Sequence, residues 1–448
     1  MYNYKIKTIA TIGPASDKTA VIAELINAGV NVFRLNFSHN TPEYFRHVIK
    51  TIRSLSKKLD SGVSIMLDLP GPKLRTGEVS GGVELSRGCV YRLGPGNEIP
   101  LPHDVLLAIP KTGILKLSDG KLGLKIIRKT KSYVEARALN SGVLMSNQSV
   151  NAAHLSYSSA YPTMHDREGI KFGLKNGIDL FALSFVSSAR DVEMARKLTG
   201  ESSILVSKIE RKEAVDNFDD IARASDAIMI ARGDLGLNMD IAKVPEIQKR
   251  LIASSNALGK PVIVATQMLE SMTRGPMPTR AEVNDIFASV YEGADAVMLS
   301  EETAISINPV GAFKMLKRVI SNFDFKSEKL PTYKVVTIQD AITAAAADII
   351  SKLGIREVII LTGEGSGVVN LSRYHRDAKI IALTDKKYVL NKLNLTRDVI
   401  PMFFKDLDSG IIQLLSDIRN GGEHNKTAII IRSTKNGKYI NSLELVSI

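Results

Sequence analysis

The chain has 448 residues, of which 44% are hydrophobic and 24% are charged, a composition typical of a soluble globular protein with about two to four domains. Its one cysteine, Cys89, excludes an internal disulfide framework and favours a reducing compartment. The N-terminus lacks a signal-peptide pattern, and the apolar runs are too short to span a membrane. We therefore predict a cytoplasmic protein with no membrane partner.

The net charge is +12, from 59 basic and 47 acidic residues. The basic residues are dispersed, tryptophan is absent, and aromatic residues make up only 6% of the chain. This composition argues against an aromatic platform on which bases could stack. We expect no nucleic-acid partner and infer a basic surface that favours small anionic substrates.

Short apolar runs alternate with helical patterns over much of the chain. The runs that indicate strands cover residues 6–12, 30–37, 64–69, 180–185, 204–209, 227–231, 262–266 and 296–299. The helical patterns cover residues 18–27, 42–59, 167–175, 189–198, 212–223, 244–258, 280–291 and 309–322. Continuous apolar strands alternating with helices are typical of a parallel sheet. The predicted fold class is α/β, with the sheet closed into a (β/α)8 TIM barrel.

Two further regions depart from this alternation. Residues 78–156 contain short alternating strands and glycine turns, which predict a small all-β lid domain inserted into the barrel. After residue 331 a new series of strands and helices predicts a C-terminal α/β sandwich that ends in a closing strand at 439–448. The predicted domains are a barrel of residues 1–77 and 157–330, the insert, and a C-terminal domain of residues 331–448.

The carboxyl ends of six predicted barrel strands are polar. Active sites of such barrels lie at these ends, so we expect the side chains to meet in one place. Lys208 and Glu210 are two residues apart on one strand and therefore share a face. Taken alone, they are either a structural ion pair at the rim or groups completed by a ligand. The other candidates at these ends are Arg34, Asn36, Ser38, His39, Asp68, Lys73, Arg75, Gly233, Asp234, Thr266 and Ser300.

The types of these residues suit one kind of chemistry. Glu210 and Asp234 offer the oxygen ligands that Mg²⁺ (or Mn²⁺) prefers. Arg34, Arg75 and Lys208 supply positive charge for phosphate and carboxylate groups. The chain has neither zinc-ligand spacing nor a P-loop motif. These residues indicate an enzyme that handles a phosphorylated, carboxylate-bearing small molecule with Mg²⁺.

At these positions the chain resembles the pyruvate kinase family. The matching segments follow one another through the predicted barrel, and the insert and C-terminal domain follow the family's layout. The segments are KTIATIGPAS from Lys7, RLNFSH from Arg34, LD from Leu67, GP from Gly71, RTG from Arg75, SKIE from Ser207, IARGDLG from Ile230, ATQMLES from Ala265, PTRAEVN from Pro278 and GADAVMLS from Gly293.

The resemblance implies phosphoryl transfer from phosphoenolpyruvate to ADP, giving pyruvate and ATP in glycolysis. It implies that Lys208 neutralises the phosphoryl group and the enolate oxygen. Glu210 and Asp234 would hold Mg²⁺, which leaves Lys208 free to face the phosphoryl group rather than its neighbour. Arg34 would bind phosphate. A homotetramer is also expected from the resemblance.

The same resemblance assigns the remaining candidates. Gly233 and Thr266, with Asp234, would hold the substrate, and Thr266 and Ser300 would belong to the path of the proton that converts the enolate to pyruvate. The residues expected to face the nucleotide phosphates are Asn36, His39 and Arg75.

Lys73 departs from the family pattern. Most members carry a glutamate there and bind K⁺ at positions matching Asn36, Ser38, Asp68 and the Leu69 carbonyl. We predict that the Lys73 ammonium lies beside Asp68 in place of that cation, so that the protein needs Mg²⁺ but not K⁺. The alternative is that Lys73 points to solvent.

Other departures leave alternatives open. The family's lysine at the end of the insert is missing from residues 147–153, and Glu301 adds a carboxylate near the mouth. These changes motivate a second hypothesis, a relative with weak or lost activity that acts as a binding or regulatory protein. A third is another barrel enzyme that handles phosphoenolpyruvate or oxaloacetate. The loop at 362–367 is either a plain turn or a phosphate-effector site.

Overall fold

The computed structural model describes residues 5–152, 161–322, 332–374, 378–420, 427–433 and 440–447. The predicted domain boundaries at 156/157 and 330/331 lie outside these residues. The strands are β1 Lys7–Ile12, β2 Val32–Asn36, β3 Ser64–Asp68, β4 Val83–Leu85, β5 Val90–Leu93, β6 Ile114–Leu117, β7 Leu122–Lys129, β8 Val134–Ala138, β9 Gly142–Leu144, β10 Val150–Asn151, β11 Leu180–Leu183, β12 Ile204–Ile209, β13 Ala227–Ala231, β14 Val262–Ala265, β15 Ala296–Leu299, β16 Glu357–Leu361, β17 Lys379–Thr384, β18 Val399–Phe403, β19 Thr427–Ser433 and β20 Ile440–Ser447.

The α-helices lie between these strands. They are α1 Thr19–Asn27, α2 Pro42–Lys58, α3 His103–Ala108, α4 Met164–Lys175, α5 Ala189–Thr199, α6 Lys212–Asp216, α7 Phe218–Ala224, α8 Arg232–Asn238, α9 Val244–Ala257, α10 Arg280–Tyr291, α11 Glu301–Ala304, α12 Pro309–Ser321, α13 Ile338–Leu353, α14 Ser366–Ser372, α15 Lys387–Leu393 and α16 Leu407–Asn420. Within the described ranges, no helix is both long and apolar enough to cross a membrane.

The predicted barrel is confirmed. Its parallel strands close in the order β1-β15-β14-β13-β12-β11-β3-β2. Alternate residues of each strand face inward and outward, and both sets are buried. The outward set packs against the helices, whereas inward residues such as Ile9, Val32, Met66 and Val206 form a separate apolar layer. Inward positions nearer the carboxyl ends are polar, and these form the candidate site.

The insert is confirmed as mainly β-structure around its own apolar core. It has an antiparallel sheet in the order β10-β6-β7-β8-β5 and a separate pair, β4-β9. The prediction that it is all-β is wrong in one detail, because residues His103–Ala108 form α3. A helix of six residues is too short to produce a helical period in the sequence.

The predicted C-terminal domain is also present. Its sheet has the order β18-β17-β16-β19-β20, and the closing strand β20 runs antiparallel to β19. Of the predicted closing segment, Tyr439 and Ile448 lie outside the described residues. In the loop at 362–367, Thr362 Oγ1 accepts a hydrogen bond from Gly365 N at 2.9 Å, which closes the turn before α14.

The C-terminal domain packs against the amino-terminal end of the barrel. Leu395 joins the inward apolar layer and is fully buried. Lys7 Nζ donates to Val399 O at 2.5 Å, and Arg397 N donates to Asp295 Oδ1 at 3.1 Å. This contact leaves the opposite, polar end of the barrel to the insert and the candidate site.

Candidate active site

The centre of the site is a buried group of opposite charges contributed by β2, β3 and β12. Asp68, at the end of β3, accepts from Arg34 Nε at 2.7 Å and from Lys208 Nζ at 3.2 Å. Lys208 also donates to Ser184 Oγ at 2.8 Å, and Arg34 donates to Thr11 Oγ1 at 3.1 Å. These strand ends hold two cationic side chains around one carboxylate that is only 1% exposed.

Lys208 also contacts its neighbour on β12. Its Nζ lies 2.9 Å from Glu210 Oε1, and the other carboxylate oxygen of Glu210 accepts from Phe185 N at 2.7 Å. Of the two alternatives for this pair, the structure shows the ion pair, and the orientation of Lys208 toward a phosphoryl group when Mg²⁺ is bound stays a prediction. The shared strand face brings the two charges together, and burial makes each the other's nearest compensation.

Burial and neighbouring opposite charges have opposing effects on the pKa values of Asp68 and Lys208. Burial alone would raise the pKa of Asp68, but Lys208 and Arg34 outweigh it and lower the pKa. Burial would lower the pKa of Lys208, yet Asp68 and Glu210 raise it well above its ordinary value. The pKa of Glu210 is raised to about 7, first by burial and then by the charge of Asp234. Lys208 opposes this rise, but the pKa of Glu210 stays raised even though its carboxylate is ion-paired.

Asp234 is placed by a helix rather than by a strand end. It lies in the first turn of α8, and Asn238 in the same helix donates to Asp234 O at 2.9 Å and Glu210 O at 3.1 Å. Among the described residues, no cluster of three metal-ligating side chains is found. The hard oxygen donors of these two carboxylates fit a cation that takes its other ligands from substrate and water, and Glu210 Oε1 is ion-paired with Lys208 Nζ in this structure.

Thr266 follows β14 in an unusual backbone conformation. Its φ is +72° and that of Gln267 is +55°, a region that costs a residue other than glycine about 1–3 kcal/mol. The Thr266 hydroxyl accepts from Gly233 N at 2.8 Å and donates to Ala265 O at 2.6 Å. The structure thus brings the predicted pair Gly233 and Thr266 into direct contact.

Ser300 lies at the end of β15. Its Oγ is buried and has no hydrogen-bond partner within the described part of the chain. Its N–H donates to Glu302 Oε2 at 2.6 Å, and Glu302 Oε1 accepts from both Met268 N and Leu269 N at 3.1 Å. The buried Glu302 carboxylate therefore ties the loop that carries Thr266 to the loop that carries Ser300.

The residues predicted for the nucleotide form a basic region beside this centre. Burial, followed by the charges of Arg75, Lys73 and Arg34, lowers the pKa of His39. Arg75 donates to Asn147 O at 2.9 Å, so it also connects the barrel to the end of the insert.

The predicted position of Lys73 beside Asp68 is not observed. Within the described ranges, the ion pairs of Asp68 are those with Arg34 and Lys208, and Lys73 makes none. Asn36 and Ser38 do lie together, because Asn36 Oδ1 accepts from Ser38 N at 3.2 Å. Lys73 is half-buried, and its charge helps to lower the pKa of His39, so it contributes to the basic region around His39 and Arg75.

Several residues that support the site are not among those predicted from the sequence. Thr11 was detectable, because it lies two residues after the inward-facing Ile9 on β1. Ser184 follows β11, whose carboxyl end was not considered polar. Glu302 follows another glutamate in the sequence, and only its burial in the structure distinguishes it from the exposed Glu301. Arg232 lies in the matching segment IARGDLG, but no role was predicted for it.

Comparisons with known proteins agree with this architecture. The family profile "Pyruvate kinase, barrel domain" matches residues 3–313, and "Pyruvate kinase, alpha/beta domain" matches residues 340–444. A pyruvate kinase from Agrobacterium vitis is 38% identical over 424 residues, which cover 90% of this chain and 87% of that protein. One from Thermotoga maritima is 38% identical, with 88% of each chain covered.

A solved structure shows the same fold. The crystal structure of a pyruvate kinase from Cryptosporidium parvum superposes with a TM-score of 0.91 at 30% identity, covering 99% of this chain and 96% of that one. Both domain profiles and these relatives span most of the chain. The chain therefore belongs to the pyruvate kinase family.

Proposed function

We propose that this chain transfers the phosphoryl group of phosphoenolpyruvate to ADP, giving pyruvate and ATP. The observation that carries the proposal is the buried ammonium of Lys208, held by Asp68 and Ser184 at the barrel mouth. Arg34 lies on the other side of Asp68. Fixed positive charges in this arrangement suit a phosphoryl group in transfer and the enolate that it leaves.

Each side chain has a role in this proposal. Arg34 binds the phosphate of phosphoenolpyruvate, and Lys208 stabilises the transferring group and the enolate oxygen. Glu210 and Asp234 hold Mg²⁺ (or Mn²⁺), which supplies Lewis-acid stabilisation of the substrate oxygens when bound. Asp68 keeps both cations in place before substrate binds, so little reorganisation is needed.

The enolate must then receive a proton at carbon. Thr266 lies against Gly233, where the substrate is proposed to bind, and its hydroxyl can pass a proton. Ser300, whose buried Oγ lacks a partner within the described chain, is the second hydroxyl of this path. On the nucleotide side, Asn36, His39 and Arg75 face the phosphates of ADP.

An assay coupled to lactate dehydrogenase, with phosphoenolpyruvate, ADP and Mg²⁺, tests the proposal. Lys208→Met is expected to lower kcat by about 100- to 1,000-fold, because the charge that stabilises the enolate is lost. Lys352→Met is the matched control, since that lysine is 73% exposed and forms an ion pair with Asp348 on the same helix, α13. It should retain the wild-type rate.

The same assay tests the metal. Removal of divalent cations with EDTA should abolish turnover, and Mg²⁺ or Mn²⁺ should restore it. Wild-type protein that turns over no substrate at millimolar concentrations would contradict the proposal and favour a binding or regulatory role.

We also propose that the activity does not require K⁺. The support is the positive charge of Lys73 in the region of His39, Arg75 and Arg34, where a further cation would be repelled. Phosphoenolpyruvate turnover in a potassium-free tetramethylammonium buffer should therefore equal that in KCl.

A charge-reversing variant sharpens this prediction. Lys73→Glu places a carboxylate in the basic region and should make the rate respond to KCl, whereas Lys352→Met should not. A rise of about tenfold on adding KCl to the wild-type protein would exclude independence.

Assembly and location remain expectations. The homotetramer rests on the family, and mass measurement in solution would test it. The proposed cytoplasmic location rests on the single cysteine, which suits a reducing compartment, and cell fractionation would test it.

A further inference from the structure

One arginine, Arg232, binds the backbone of the loop after β14. Thr266 and Gln267 occupy left-handed backbone conformations, with φ of +72° and +55°. Both of their carbonyl groups accept from the same nitrogen, Nη2 of Arg232, at 2.6 and 3.3 Å. Two successive residues in this region persist only where surrounding groups hold them, and Arg232 is one such group.

Arg232 is itself held by a carboxylate on another helix. Its Nη1 donates to both carboxylate oxygens of Asp285 on α10, each at 2.6 Å, and lies 3.5 Å from Gln248 Oε1 on α9. The side chain of Arg232 is 9% exposed. A planar guanidinium with one edge on a carboxylate and the other on two carbonyls has little freedom to move.

The contacts of Arg232 hold Thr266, which is a residue of the candidate site. Arg232 opens α8, and the next residue, Gly233, donates its N–H to the Thr266 hydroxyl at 2.8 Å. One short segment therefore fixes Thr266 twice, through its carbonyl and through its hydroxyl. Movement of the arginine would change the direction of the Thr266 hydroxyl relative to Gly233.

We propose that Arg232, oriented by Asp285, is a positioning residue that sets the Thr266 hydroxyl for proton delivery to the enolate. This inference rests on the proposed phosphoryl-transfer function and adds residues to which that proposal assigns no role. Arg232 acts through Thr266 and needs no contact with substrate. Its loss should therefore slow the step after substrate binds while leaving substrate affinity nearly unchanged.

The experiment compares kcat and KM in Arg232→Lys, Arg232→Ala and Asp285→Asn with those of the wild type. A lysine keeps the charge but cannot span carboxylate and carbonyls together. We expect kcat to fall by about 10- to 100-fold in each variant, and KM for phosphoenolpyruvate to change less than about threefold. Guanidinium in solution should restore part of the rate of Arg232→Ala.

A second measurement isolates proton handling. Exchange of the methyl protons of pyruvate for deuterium in D₂O requires the reverse of the proposed proton delivery. It can be followed by NMR with Mg²⁺ present and without ADP. The exchange rate should fall in parallel with kcat while thermal unfolding shows that the variants remain folded at the assay temperature, because a loss of folded protein would also lower both rates.

The matched control lies at the opposite end of the barrel. Arg53 likewise binds two carbonyls and a carboxylate, those of Val63, Gly177 and Asp179. Arg53→Ala should lower the unfolding temperature but leave kcat, proton exchange and the response to guanidinium as in the wild type.

The outcomes separate the inference from the function on which it rests. If the wild type is inactive, the proposed function and this inference both fail. If the wild type is active and the Arg232 and Asp285 variants keep kcat within about threefold, or lose only KM, the inference alone fails. It also fails if none of the three variants folds, because the pair would then serve stability.

Discussion

Among single residues, Lys208 shows how burial and charge together prepare a reactive group. Desolvation works against its ammonium, but Asp68 and Glu210 raise its pKa above the ordinary value, so the charge persists at neutral pH. Arg34 shares Asp68 and limits that rise. The site therefore keeps two cations fixed around one carboxylate instead of relying on flexible surface lysines.

Gly71 supports this arrangement through space rather than charge. Its φ is +66°, and a Cβ at this position would lie 2.6 Å from Ser184 O. Gly71→Ala should lower the free energy of unfolding by about 2–4 kcal/mol, from backbone strain and crowding. It should also lower kcat by about tenfold, because Ser184 holds Lys208. Thermal unfolding and the coupled assay measure the two effects.

Gly177→Ala is the control for backbone strain. Gly177 has nearly the same φ, +67°, but among the described residues no atom lies within 4 Å of its added Cβ. We expect a loss of about 1 kcal/mol and unchanged kcat. Equal losses of stability and rate in the two variants would show that crowding at Ser184 has no role.

At the level of elements, strand alternation explains why so many predicted residues converge. Val206 and Lys208 on β12 share the inward face with Glu210 just after it, and on β2 Val32, Arg34 and Asn36 do the same. The apolar inward residues fill the barrel toward the amino ends of the strands. The polar inward residues lie toward the carboxyl ends, where the strands reach solvent. The register of neighbouring strands then sets which polar residues meet, as with Asn36 opposite Asp68.

Short helices were the elements that the sequence did not reveal. The predicted helix at 212–223 is two helices, α6 and α7, divided at Asn217. The segment predicted as a polar strand end is α8, seven residues with two glycines. Periodicity cannot indicate so short a helix, yet α8 determines where Asp234 points.

For the whole molecule, the C-terminal domain seals the barrel end opposite the site. Lys7 reaches Val399 O there and is 2% exposed. Burial, then Lys317, lowers the pKa of Lys7 to about 7, while Asp398 and Asp295 oppose this shift. Burial raises the pKa of Asp398 to about 7 and that of Asp295 to about 6. The stability of the interface between the barrel and the C-terminal domain therefore depends on pH.

The direction of this pH dependence follows from whether Lys7 holds a proton in the folded and in the unfolded chain. Between pH 7 and the ordinary lysine value of 10.5, the unfolded chain holds a proton on Lys7 that the folded chain has lost. Stability contributed by this group therefore rises with pH in that window, by at most about 1.4 kcal/mol per pH unit. Lys7→Met should remove this contribution and flatten the pH dependence of thermal unfolding.

A second substitution separates Lys7 from general effects of pH. Lys352→Met, at an exposed ion pair, should leave the dependence of the wild type unchanged. If the Lys7 variant and the wild type show the same slope between pH 7 and 10.5, the folded-state pKa of Lys7 is not lowered and the linkage is wrong.

The sequence by itself determined the barrel, the insert, the C-terminal domain and most of the candidate site. Apolar periodicity reports burial, and strand alternation places residues such as Lys208 and Glu210 on one face. Only the tertiary structure decided which charges meet, because ion pairs depend on side-chain reach across strands. It placed Lys208 against Glu210, and among the described residues it paired Asp68 with Arg34 and Lys208 rather than with Lys73. It also revealed Arg232 and Asp285, since residues 53 positions apart come together only when α8 packs near α10.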